Sequence, residues 1–520
     1  MTFLCREKTI VLAPVTNVRL MRRVCNLLLT VWAGRVTINV LSDDVLLHIF
    51  LIDEQKHHEP PSLLLVGMGD YDRVGRLPWR WHRLVHVCSR WRSIVFASPN
   101  FLDLRLVCGP RTPIELTGIW PSLPIIITDA FGLLMPRDRK PDAWAEDYDF
   151  DAAIVHPSRV REIRLSHLIR SILQRLASAT LMQEQFPALI HLMLHFYDVH
   201  PSPILPDGFL GRSAPLLQSL GLSSIPFPAL PKLLLSATHL VCLILHDIPH
   251  SGYFSPEAIV TGLAGMANHE SFFINFKSPL SRPHQESRRP PPPTRTVLPA
   301  LNRFNFKGVS EYLEDLVVRI DAPLLDIIYI FFFHQLMYDV PNLAQFMRRT
   351  AKFQGLKEAR VDFDETGVRV DTLSPLTFNK PETSGLRISC RELDWQLSSV
   401  AQVFTSFSPS IYMVEHLYIH GPRYQWKYDI ENTQWSEIFH PFTAVKNLYL
   451  SEKIAPSIAH ALKELVGGRT MEVLPALETI FLEGLEPSGA SRSILEGIEK
   501  FVAARQLSNY PITVSPWERA

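Results

Sequence analysis

The chain has 520 residues, of which 47% are hydrophobic, and its 52 basic and 52 acidic side chains cancel to a formal charge of zero. That length exceeds one compact core and points to two to four domains or a repeat array. The balanced charge argues against a general nucleic-acid or membrane-surface partner, since both draw on an excess of Lys and Arg.

No run of about 18 uncharged apolar residues is present to span a membrane. Six cysteines at 5, 25, 88, 108, 242 and 390 show no Cys-x-x-Cys spacing. This argues against a disulfide framework or a structural zinc site and fits a reducing compartment, cytoplasmic or nuclear. Val24 to Ala33 is apolar but short, with Arg22, Arg23 and Arg35 around it. Residues 1–35 are read as a poorly ordered leader.

Leu41 to Phe50, L-S-D-D-V-L-L-H-I-F, predicts a short capped helix. Ser42 is the N-cap candidate, and Asp43 and Asp44 place negative charge where the first N–H groups point outward. Leu41 and Leu46 can staple the entry, while Val45, Leu46, Ile49 and Phe50 share one face. A second amphipathic helix is predicted from Leu84 through Val87, Cys88, Trp91, Ile94 and Val95, closed by Pro99. Cys88 is placed on its apolar face as a buried, inert thiol.

These two segments resemble the F-box, the helical module that ties a substrate receptor to the adaptor of a cullin-based (SCF-type) ubiquitin ligase. The family's Leu-Pro-x-Glu/Asp-x-Leu-x-x-Ile-Phe is met by Leu41, Asp44, Leu46, Ile49 and Phe50. Its Val-Cys-x-x-Trp is met by Val87, Cys88 and Trp91. Ser42 stands where the family has proline, and Glu54 to Leu77 is an insertion where it has a short link. The resemblance covers about 60 residues, and residues 36–105 are taken as the module, with the insertion at 54–77. It implies an adaptor-binding face of Leu41, Val45, Leu46, Ile49, Val87, Cys88, Trp91 and Ile94, and through the adaptor a cullin as partner.

From residue 106 to 515 the chain shows recurring L-x-x-L-x-L triplets. Clear copies start at Val160, Leu189, Leu217, Leu240, Leu301, Leu325, Val414, Val445 and Leu477; Leu356 opens a weaker copy and His269 a degraded one. Steps of 23 residues (Leu217 to Leu240) to 32 (Val445 to Leu477) recur between neighbouring copies. That period with that spacing is the signature of leucine-rich repeats, here irregular. Helical patterns fall between them, at Leu168–Leu176, Pro256–Ala267, Pro341–Arg349, Gln396–Phe407, Ala455–Val466 and Ile494–Val502. The fold class expected is therefore α/β: a small helical F-box, then an irregular leucine-rich-repeat solenoid with a parallel, concave sheet. An ordinary α/β domain would explain the alternation of helix and strand but not the repeated 1-4-6 spacing.

Two excursions break the array. Residues 278–296 carry Ser287-Arg-Arg-Pro-Pro-Pro-Pro-Thr-Arg295, an extended segment that is either a proline-motif ligand or a simple loop. Residues 138–151 are acidic, but Ala152 and Ser158 stand where a calcium loop needs glycine and glutamate. His57-His58 and the Gly67/Gly69 pair fall in the 54–77 insertion and are read as loop.

No Gly-x-Ser-x-Gly elbow, phosphate-binding glycine loop or His-Glu-x-x-His occurs. The chain is thus read as a binding protein without catalytic residues, cofactor or metal. In such a sheet the residues between the core leucines face outward. Among them Tyr329, Phe331, Tyr418, Tyr449 and Phe481 expose rings of the kind enriched where partners dock, and they are the expected face for a protein substrate. The chain looks like a member of the fungal F-box set with divergent repeats. Its rivals are a repeat scaffold without ligase engagement and a hydrolase or transferase within residues 106–515.

Overall fold

A computed structural model describes residues 2–5, 8–11, 41–55, 84–99, 102, 104–108, 123–128, 154, 156–178, 180–197, 202–279, 294–354, 357–373, 384–390, 393–421, 432–464, 472–484 and 489–518. They fall into two compact units, Met1–Arg105 and Leu106–Ala520. The 54–77 insertion beyond Gln55, the acidic excursion at 138–151 and the proline run lie outside the described residues.

In the first unit, β1 (Thr2–Cys5) pairs antiparallel with β2 (Lys8–Val11), Phe3 opposite Ile10. The β-branched run Thr9-Ile10-Val11 suits the second of these strands. Helix α1 (Asp43–Gln55) starts where the cap pattern placed it, and the Ser42 carbonyl accepts Leu46 N–H at 3.0 Å. The second helix differs from expectation. Leu84 and Val85 are helical, residues 86–87 turn, and helix α2 (Ser89–Ala97) begins afresh. Cys88 is the N-cap, with φ −159° and Sγ accepting Trp91 N–H at 3.5 Å. A thiol is a weak acceptor, yet here it covers one of the first-turn donors that a helix leaves unpaired. Cys88 is therefore a half-buried cap and not a core thiol on the helix face.

The second unit is mixed α/β, and its described residues build one 16-stranded sheet. Its first nine strands in chain order are β3 (Leu106–Cys108), β4 (Ile125–Thr128), β5 (Val160–Leu168), β6 (His191–Phe196), β7 (Ser219–Ser223), β8 (Cys242–Ile248), β9 (Ser271–Phe276), β11 (Arg303–Gly308) and β13 (Ile327–Phe332). The remainder are β14 (Glu358–Asp364), β15 (Gly367–Leu373), β16 (Ser384–Ser389), β17 (His416–His420), β18 (Asn447–Leu450), β19 (Thr479–Glu483) and β20 (Thr513–Trp517). A separate parallel pair joins β10 (Thr296–Val297) to β12 (Ile320–Asp321). Leu168 ends β5 and so belongs to a strand, not to the helix that follows.

In every triplet the second and third residues sit in a strand with side chains buried, from Ile163 and Leu165 to Ile480 and Leu482. The residues between them are mostly half-buried, so one face is interior and the other is open. The interior face is covered by helices. After α3 (Arg170–Ser178) come α4 (Leu230–Leu234), α5 (Pro256–Leu263), α6 (Ser310–Val317), α7 (Pro341–Arg349), α8 (Leu393–Ile411), α9 (Asn432–Phe439), α10 (Ala455–Glu464) and α11 (Gly489–Leu507). From α4 to α11 each helix touches the next, in the same order as the strands. Helices α4 to α11 thus follow one another in a row.

Local chemistry sets these helices. Ser255 Oγ accepts Ala258 N–H at 3.2 Å to cap α5, and Pro256 fills its first position. Helix α7 also starts at a proline, but its cap comes from a neighbour: the Glu314 carboxylate of α6 accepts Asn342 and Leu343 N–H, both at 2.8 Å.

The sheet is mostly parallel, with one correction. Strand β15 runs antiparallel to both β14 and β16, inserting a hairpin between β13 and β17. Asp364 Oδ1 accepts both N–H and Oγ1–H of Thr366 at 2.7 Å, reversing the chain in a two-residue link. Gly367 follows because a Cβ there would collide with the Ile388 carbonyl oxygen. The unit also runs past the expected limit at 515: β20 extends to Trp517.

Candidate functional site

Two surfaces gather the residues singled out by sequence. In the first unit, α1 and α2 are in contact, and the Phe50 and Trp91 rings meet with centroids 4.6 Å apart. Arg90 of α2 clamps the start of α1: its Nε and Nη2 donate to Asp43 Oδ1 at 2.9 and 2.6 Å, and Nη2 also reaches the Leu41 carbonyl at 2.5 Å. Leu46, Phe50, Ile94 and Val95 are buried. Leu41, Val45, Ile49, Cys88 and Trp91 are half-buried, while Val87, in the turn before α2, is 56% exposed. The eight residues therefore split. Leu46 and Ile94 are interior, and the other six retain surface.

On the sheet's open face, Tyr418, Tyr449 and Phe481 are brought together. They are successive partners in register across β17, β18 and β19. Parallel in-register strands hold like positions about 4.8 Å apart, the distance at which flat rings stack. The centroids lie 4.2 Å (Tyr418–Tyr449, 13° between planes) and 4.5 Å (Tyr449–Phe481, 7°) apart. Burial raises the hydroxyl pKa of Tyr418 and of Tyr449, and for Tyr418 the neighbouring Tyr449 adds to it.

Tyr329 and Phe331 are not part of that stack. They lie on β13, and β16, β15 and β14 stand between them and β17. That is four strand spacings, about 19 Å. Phe331 sits in a cationic setting of its own, with Lys307 Nζ 5.7 Å and the Arg387 guanidinium carbon 5.9 Å from its ring centroid. Lys307 also pairs with Asp247 at 3.3 Å. Burial alone would raise the Asp247 carboxyl, but His246 and Lys307 hold it at about 2.

Between the two aromatic groups runs a mosaic of paired charges: Arg387–Asp364 at 2.9 Å, Arg369–Asp371 at 2.8 Å and Arg360–Asp362 at 2.9 Å. Arg369 and Arg387 stand opposite each other in the hairpin, and each is compensated by its own aspartate. Burial pushes the Asp371 carboxyl above the ordinary carboxylate range despite Arg369. Asp362 shows the reverse: burial would raise it, but His420 Nδ1, 2.7 Å away, and Arg360 hold it low. With Nδ1–H donating to that carboxylate, His420 Nε2 is buried and has no hydrogen-bond partner among the described residues.

Sequence reasoning missed Trp517. Its ring lies 5.6 Å from Tyr449, 6.1 Å from Tyr418 and 5.6 Å from His420. The signal was an aromatic two residues after Ser515, itself the partner of Phe481 in β20. Among the described residues no group of three His, Cys, Asp or Glu is placed to hold a metal, and no helix is long and apolar enough to cross a membrane. No family model matches the chain, and no curated protein is similar to it in sequence.

Proposed function

We propose that this chain is the substrate-recognition subunit of a cullin-based ubiquitin ligase. Its α1–α2 pair acts as an F-box on the ligase adaptor. Its second unit acts as an irregular leucine-rich-repeat solenoid whose open sheet face holds the target protein. The observation that carries the reading is the meeting of the two motif halves. Phe50 packs on Trp91 and Arg90 holds Asp43, while Val45, Ile49 and Val87 keep apolar surface that a partner helix could cover.

On this reading the chain performs no chemistry. It holds a target beside a charged conjugating enzyme and raises the effective concentration of a target lysine. The stacked Tyr418–Tyr449–Phe481 rings with Trp517 form the strongest anchor for that target, because rigid aromatic surface loses little entropy on docking.

The test is adaptor co-purification with Ile49→Asp and Val87→Asp introduced together. Both side chains keep surface, so the unit stays folded and its helical signal is retained. Adaptor recovery is expected to fall at least tenfold, with the melting of the second unit unchanged. Full recovery of adaptor by the double variant overturns the assignment.

A further inference from the structure

Among the described residues the 16-stranded sheet ends on β20, and that strand is anchored unlike the rest. Every other strand in the sheet holds at least one buried residue, but β20 holds none. Ile480 and Leu482 of β19 are buried, whereas their partners Val514 and Pro516 are half-buried and exposed. Strand β20 therefore adds little to the core. It is held by backbone pairing to β19, by the Thr479–Thr513 hydroxyl contact at 3.0 Å and by the Trp517 ring. Pairing with so little buried apolar surface belongs to the least stable part of a fold.

The row of rings also stops at this strand. Across β17, β18 and β19 one register position carries Tyr418, Tyr449 and Phe481, but on β20 it carries Ser515. Phe481 stacks on Tyr449 through one face, and among the described residues no ring meets the other face. A serine side chain is too small to cover it. That face looks toward a position one strand spacing away, about 4.8 Å, where a fourth ring would stack.

A partner strand could add to the outer edge of β20 or take its place. Thr513 N–H donates inward, to the Glu478 carbonyl at 2.9 Å. Ladder donors alternate along a strand, so Ser515 and Trp517 point theirs inward too. Pro516 then stands at an outward position and has no N–H to offer there. The outer edge is blunted. Thr479 to Glu483 of β19 contain no proline, so their edge presents a complete set of donors and acceptors once β20 leaves it.

We propose that an extended segment of the target protein replaces β20, running parallel to β19 and setting an aromatic side chain in the place of Ser515 as the fourth ring of the row. Main-chain pairing supplies the affinity and the ring supplies the selection, while β20 is the resident segment that a less suited chain fails to displace. This rests on reading the open sheet face as the target site.

The probes are fluorescein-labelled peptides of residues 511–518, Pro-Ile-Thr-Val-Ser-Pro-Trp-Glu, with and without Ser515→Phe, titrated by anisotropy into the full chain. Thr513→Pro with Trp517→Ala loosens β20 in the full chain without altering a buried residue. The loosened chain is expected to bind the Ser515→Phe peptide about fivefold more tightly than the unchanged peptide, the worth of one stacked ring. It should also bind that peptide about tenfold more tightly than the wild-type chain does, because there the resident strand must leave first. Phe481→Ala in the loosened chain removes the ring beneath and erases the preference. Without any peptide, Ser515→Phe in the otherwise unchanged full chain is expected to slow amide exchange over residues 513–517 about fivefold. No saturable binding by the loosened chain, equal binding by the loosened and wild-type chains, or a preference that survives Phe481→Ala overturns the proposal. So does unchanged exchange in the full-chain Ser515→Phe variant. Adaptor recovery reads the first unit, so its failure and the failure of peptide binding are distinct results.

Discussion

His269 is fully enclosed, with Nδ1 3.3 Å from the Leu240 carbonyl oxygen and its ring 6.0 Å from Phe272. Burial pushes its pKa down to about 4, against the pull of that carbonyl. The folded chain therefore refuses a proton that the unfolded chain accepts below about 6.5. The stabilisation is full above that value and is lost as pH falls toward 4. Between pH 7 and pH 5 this one group removes about 2 kcal/mol of stability. His269→Gln keeps a donor for Leu240 and does not titrate, so its urea midpoint is expected to fall less over that interval. Equal acid sensitivity in the variant and the wild type would place the effect elsewhere. Cys88 makes a related point at this scale. Its residue type was legible in the Val-Cys-x-x-Trp spacing, but its role as a cap was not, because periodicity continues smoothly through a turn of residues 86–87 that only the backbone reveals.

Strand register is what turns single aromatic residues into one surface. Tyr449 stacks on a ring to either side, whereas Tyr418 stacks on Tyr449 alone within the row. Each such contact contributes about 0.5–1.5 kcal/mol beyond its buried area. Tyr449→Leu is therefore expected to lower unfolding free energy by about twice as much as Tyr418→Leu, read by chemical denaturation; equal losses would mean the rings act independently. Tyr418, Tyr449 and Phe481 were legible because each follows the second core position of its triplet, where outward direction is set by a period of two. Tyr329 obeyed the same rule and Phe331 follows the third core position, yet their distance from the others was not legible. It depends on the hairpin, and no triplet marks it. The signal for the hairpin was present in Asp364-Glu365-Thr366-Gly367, a turn followed by the alternation Val368-Arg369-Val370-Asp371. A search tuned to 20–30-residue steps passes over an insertion of two strands. The triplet at His269 shows the opposite error, since it looked degraded but gives the regular strand β9 with Phe272 and Ile274 buried. Phenylalanine serves the core position as well as leucine does.

Among the described residues of the second unit each strand pairs with the strands beside it, and each helix from α4 onward touches its neighbours in the row. Stability in such an arrangement is close to a sum of local and nearest-neighbour contributions, so damage need not spread along the chain. The hairpin region sharpens this expectation. A cavity of about 80 Å³ there costs on the order of 2 kcal/mol relative to a filled core, and the coupling between the strands before β13 and those after β17 passes through that weakened section. Leu448 lies beyond it, fully buried in β18. Leu448→Ala is expected to cost about 3 kcal/mol through lost transfer energy and the space left behind. Amide hydrogen exchange should then accelerate in β17 to β20 by up to about a hundredfold, the rate equivalent of that loss, while β6 to β9 exchange as in the wild type. Acceleration by the same factor in both sections would show that the 16 strands open as a single cooperative body, and that the gap under the hairpin transmits strain as well as any filled part of the core.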